Sequence, residues 1–125
     1  MRFISLAFLF VLSLNVAAQS PIVSGLFAEG TKLAKQERFA DALQSYKGAL
    51  SIADNEYLDA GYRARLRFNI GVCYFRLQRF DQAVDEFKHA LILKSDYATA
   101  HDALKIAEVR RRELKSSFAS LKASK

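Results

Sequence analysis

Apolar residues along this chain recur at helical rather than strand spacing. The clearest stretch runs from Arg67 to Leu93. Ile70, Gly71, Tyr74 and Leu77 share one helical face, the pattern breaks near Gln78 and Arg79, and Phe80, Ala83, Val84, Phe87, Ala90 and Leu91 resume it. Two short amphipathic helices separated by a tight break make an antiparallel hairpin. The small residues Gly71, Ala83 and Ala90 let the two backbones approach, and Tyr74, Phe80 and Phe87 fill the remaining space.

An upstream stretch repeats the pattern. Gly30, Phe39, Ala42, Tyr46, Ala49 and Leu50 stand where Gly71, Phe80, Ala83, Phe87, Ala90 and Leu91 stand later. The copy departs in its first helix, where Glu29 replaces Ile70 and Leu33 replaces Tyr74, which predicts a less well packed outer face. Pro21 suits the start of that helix. After Leu93, Ser95 or Asp96 offers an N-cap, and Tyr97, Ala100, Leu104, Ala107 and Leu114 recur on one face with no second helix behind them. Such a helix covers the open end of a stack and keeps a polar outer side. With no strand signals, the expected fold is all-α, an α-α superhelix of two helical hairpins plus a C-terminal capping helix.

The order of large apolar, small and aromatic residues at Ile70, Gly71 and Tyr74, followed by Phe80, Ala83, Phe87 and Ala90, resembles the tetratricopeptide repeat. Repeat 1 then falls at about 23–56, repeat 2 at about 64–97, the cap at about 97–115, and 116–125 forms a flexible basic tail. Ala42 and Ala83 lie 41 positions apart, against a family period of about 34. The excess belongs in Asp54 to Ala64, as a longer helix or as a loop. Tyr57, Leu58 and Tyr62 supply apolar surface for a helix, and Gly61 weakens one by roughly 1 kcal/mol. Two repeats fall short of the about three a stack needs, so the long connection and the cap supply the missing burial or the chain completes its stack as a homo-oligomer or on a partner.

The resemblance implies that the first helix of each repeat lines a concave groove for a peptide or helix of a partner protein. By position, the lining is Phe27, Thr31, Ala34 and Lys35 from repeat 1, Arg65, Phe68, Asn69, Val72, Phe75 and Arg76 from repeat 2, and Asp102, Ile106, Val109 and Arg110 from the cap. Phe27, Phe68 and Phe75 lie outside the hairpin packing motif and offer aromatic anchors. Lys35, Arg65, Arg76 and Arg110 offer a basic rim, a combination suited to an acidic-hydrophobic segment. Asn69 matches a residue with which some family members hold a C-terminal carboxylate, while the Lys and Arg partners of that clamp stand here as Thr99 and Ala103.

Charge adds a second reading. The 125 residues carry a net charge of +6, unevenly spread: residues 19–60 hold four basic and six acidic side chains, residues 61–125 fourteen and seven. The basic half contains Arg63, Arg65 and Arg67 and the run Arg110, Arg111, Arg112. A basic helix of this kind either is a solvated face or attaches the protein to an anionic membrane surface. No nucleic-acid recognition motif accompanies it, and no nucleic acid is expected as a partner.

The first 18 residues have the layout of a signal peptide: Arg2, an apolar run from Phe3 to Leu14, and small residues at Val16 and Ala18 before Gln19. The run is shorter than the about 20 residues a membrane span needs. The expected location is therefore exported, periplasmic or secreted. Chemistry is sparse. His89 and His101 lack metal-ligand spacing, Asp81, Asp85 and Glu86 belong to the polar side of a helix near its N-terminus, and no phosphate loop, serine elbow or carboxylate pair is present. No enzyme activity, catalytic residue, cofactor or metal is expected. Cys73, alone in the chain, reads as a small, partly buried hydrophobe.

Overall fold

The computed structural model describes residues 20–125; the expected signal peptide lies outside them. Five helices follow one another: α1 (Pro21–Lys35), α2 (Phe39–Asn55), α3 (Ala60–Arg76), α4 (Phe80–Leu93) and α5 (Ala98–Ala123). Each packs extensively on its successor, α1 on α2 through to α4 on α5. The architecture is the expected all-α superhelix of hairpins.

The breaks are built alike. Glu37, Tyr57 and Gln78 adopt left-handed backbone, with φ of 59°, 51° and 62°. After each, a backbone N–H reaches a carbonyl five residues back: Arg38 to Leu33 (3.0 Å), Leu58 to Ala53 (2.9 Å) and Arg79 to Tyr74 (2.8 Å). This closure satisfies carbonyls that the helix end would leave open. α1 opens with Pro21 in its first turn and α3 is capped by Asp59, whose carboxylate accepts from the Tyr62 N–H at 3.1 Å.

The core is a seam of small and large residues in alternation. Ala42, Ala49 and Ala53 of α2 and Ala83 and Ala90 of α4 are fully buried, interleaved with Leu43, Tyr46, Val84 and Phe87. Leu66, Ile70, Cys73 and Tyr74 of α3 lie between them. Two glycines are required by close approach. A Cβ on Gly30 would meet the Tyr46 ring at 2.7 Å, and one on Gly71 would meet the Phe87 ring at 2.6 Å, distances at which something must move. Cys73 is fully rather than partly buried, and burial pushes its thiol up to about 11.

The extra residues between the repeats become helix. α2 and α3 each run 17 residues, against 14 for α4, and only Glu56 to Asp59 remain as a turn. Arg63 fastens that turn: its Nε donates to the Leu58 carbonyl at 2.8 Å and its guanidinium faces Asp54 at 3.4 Å.

Two expectations about the cap are corrected. The N-cap is Tyr97, not Ser95 or Asp96, and makes no side-chain capping bond; the Ser95 carbonyl is instead 2.8 Å from His101 Nε2. The helix also runs to Ala123 rather than giving way to an irregular tail at 116. From Ala98 onward there is no Gly or Pro to stop it, and Ala, Leu, Lys, Arg and Glu all favour continuation. The face of α5 expected to point outward does so, with His101 and Lys105 exposed while Ala100 and Ala107 are buried.

Candidate functional site

The positions expected to line a groove lie on α1, α3 and α5. The sharpest feature there is an apolar hollow of about 110 Å³ lined by Val72 and Phe75 of α3, Phe87 of α4, and Ala103 and Ile106 of α5. Ile106 is 55 % exposed and Val109 is exposed beyond it, so the hollow opens onto a further apolar surface. With no cation in its lining, it suits an apolar side chain and not a carboxylate. Ala103, standing where a clamp Arg would be, is part of the apolar wall.

The other positions are less free than the resemblance implied. Phe27 is half-buried, 5.7 Å from the rings of both Tyr46 and Tyr62, and Phe68 is half-buried, 5.6 Å from Phe87 and 5.3 Å from Tyr97. Each is the middle of an aromatic triad that ties a first helix to its own second helix and to the start of the next unit. Phe75 sits 5.2 Å from Phe80, at the base of the turn, and keeps one side in the hollow. The Thr31 hydroxyl donates to the Phe27 carbonyl at 3.0 Å. With its one hydrogen so used, it accepts from the Tyr46 hydroxyl, also at 3.0 Å. Burial raises the pKa of that tyrosine, and of Tyr62 and Tyr97.

The basic rim divides similarly. Arg65 lies over the Phe27 ring at 5.3 Å, and Arg76 lies over Phe39 at 4.5 Å and faces Glu37 at 3.5 Å. Lys35 is exposed, Asn69 is half-buried, and Arg110 pairs with Glu113 at 3.4 Å in the cleft next to the hollow. Arg63 and Arg67, grouped by sequence with Arg65 in a basic run, turn to carboxylates. Arg67 faces Glu86 at 3.2 Å and Asp54 at 3.5 Å, so the run is a joint between α2, α3 and α4. Sequence reasoning missed this because the partners are 13 and 19 positions from Arg67 in opposite directions.

Sequence reasoning also passed over Phe118 and Leu121. They continue at i+4 and i+7 the stripe that it ended at Leu114, and that continuation was the available signal. Among the described residues, no group of His, Cys, Asp and Glu could hold a metal ion, and no helix is long and apolar enough to cross a membrane.

Comparison with protein families matches residues 30–96 to the family model described as Tetratricopeptide repeat. Comparison with curated proteins finds no match.

Proposed function

The chain belongs to the tetratricopeptide repeat family, whose repeats generally mediate protein–protein interaction, and from that premise we propose that it is an exported adaptor that binds a peptide or helix of a partner protein in the hollow between α3 and α5. The observation that carries the reading is the hollow itself. Val72, Phe75, Ala103 and Ile106 form an open, almost wholly apolar recess, and Arg76 and Arg110 follow Phe75 and Ile106 by one and four positions in the sequence. The occupant is a segment with one large apolar anchor for the recess and carboxylates nearby, since a buried apolar centre with a polar rim is how such surfaces bind. Export rests on the N-terminal pattern of Arg2, the apolar run to Leu14 and Ala18 before Gln19.

The test is partner recovery with a C-terminally tagged chain expressed in its native cell, gently crosslinked and analysed by mass spectrometry. We expect a mature N-terminus at Gln19 and one defined exported protein that is lost with Ile106→Glu. Because Ile106 is exposed, that variant leaves the fold intact, as circular dichroism would verify. Recovery of the same protein with the variant would refute the groove reading, and an intact Met1 would refute export.

A further inference from the structure

Past Lys115, which faces Asp81 at 3.6 Å, α5 outruns the helix it packs on. Its inner stripe begins as Ala100, Leu104 and Ala107, which are buried or half-buried, and continues as Leu114, Phe118 and Leu121, which are exposed. Phe118 and Leu121 are each 63 % exposed. Because it continues the inner face of the cap, the stripe looks across the end of the α3–α4 turn rather than away from the protein. Clefts of about 260 Å³ and 250 Å³ lie on the two sides of Leu114, with Gln78 and Phe80 as their shared wall.

The surroundings of this notch are strongly basic. Residues 110–125 hold six Lys and Arg against one acid, Glu113, and Arg79 stands in the facing wall. Glu113 is taken by Arg110, and Asp81 by Arg111 and Lys115. Among the described residues Arg79 and Lys122 have no ion-pair partner.

We infer that the notch is a second docking site, for one amphipathic helix of a partner protein whose apolar side covers Leu114, Phe118 and Leu121 and whose acidic side chains meet Arg79, Lys115 and Lys122. A second copy of this chain fits poorly, because pairing two such helices sets Lys115 and Lys122 of each against the same cations of the other. A bilayer fits poorly because Leu114 and Phe118 line clefts beside the α3–α4 turn, where a helix about 10 Å across enters and a flat surface does not. The site uses none of Val72, Phe75, Ala103 or Ile106, so it stands or falls apart from the hollow.

The experiment uses the full chain and two fluorescein-labelled helical peptides with identical Leu stripes, one flanked by Glu and one by Lys, read by anisotropy. The Glu peptide binds and weakens with added salt, the Lys peptide binds at least tenfold more weakly, and the double variant Phe118→Ser, Leu121→Ser loses at least tenfold for the Glu peptide. Lys115→Glu with Lys122→Glu, which leaves the stripe intact, inverts the preference between peptides, and every measurement is made in the Ile106→Glu background, which closes the hollow to the same peptides. Equal binding of the two peptides, no binding of the Glu peptide, or full binding by the double variant overturns the inference. So does a dimer in sedimentation, or binding to phosphatidylglycerol–phosphatidylcholine vesicles, that the double variant abolishes, since either assigns the stripe to another occupant.

Discussion

The two repeats have the same frame and different surfaces. Gly30 under Tyr46 and Gly71 under Phe87 are the same lock, one ring pressed onto one glycine in each hairpin, and Phe27 and Phe68 centre equivalent aromatic triads. The difference lies one residue along. Repeat 1 places Thr31 against the Tyr46 hydroxyl and Ala34 a turn later, while repeat 2 places Val72 against Phe87 and Phe75 a turn later. The first arrangement closes a hydrogen bond; the second leaves an apolar recess facing the cap. A repeat scaffold thus holds its packing positions constant, and a few neighbouring positions decide which unit leaves an apolar recess.

The comparison breaks most visibly at the locking rings. Phe87→Ala and Tyr46→Ala each remove a buried aromatic, and we expect each to cost about 3–5 kcal/mol, measured by urea unfolding; a gap above about 2 kcal/mol between them would show that the locks are not equivalent. Next come the junctions. Glu86→Ala leaves the Arg67 guanidinium only Asp54 at 3.5 Å, with a buried Nε already unpartnered, and should cost about 1.5–3 kcal/mol. Smaller is Tyr46→Phe, expected to cost about 0.5–1.5 kcal/mol through the lost bond to Thr31. Smallest is Asp81→Ala, which acts on an exposed pair at the cap and should change stability by under about 0.5 kcal/mol.

The last prediction concerns pH. Cys73 has its pKa raised by burial from 9.0 to about 11, so the folded state holds the proton more tightly than the unfolded one. Its contribution is whole below about pH 9 and is lost as pH rises towards 11; Tyr46, Tyr62 and Tyr97, raised for the same reason, add loss in the same direction. Cys73→Ala should flatten that part of the stability profile. The same burial makes the thiol slow to react with iodoacetamide at pH 8 in the folded chain and fast in urea.

Much of this was readable from residue order. The hairpins and their small-large pairing follow from spacing alone, because Gly30, Gly71 and the alanines occupy places where only small residues allow contact. The longer helices were readable as a choice but not as an answer. What ends α2 at Asn55 is a left-handed Tyr57 together with Arg63 holding the Leu58 carbonyl, and neither has a local signature. The candidate site was half legible. Positions on the first helices came from the family resemblance, yet Phe27 and Phe68 turn inward because Tyr62 and Tyr97, at the entry to the following helix, supply rings for them. Helix α5 outlasts its expected end because a Ser-, Lys- and Ala-rich segment suggests fraying but holds no Gly or Pro to stop the helix.

The central claim, that repeat 2 and the cap carry the binding surface, is tested most directly by photo-crosslinking in the native cell. A benzophenone amino acid would be placed at Ile106, beside the hollow, and separately at Ile92, 79 % exposed on α4. The account predicts one discrete crosslinked partner from position 106 and none from position 92. A partner captured from 92 alone would contradict it.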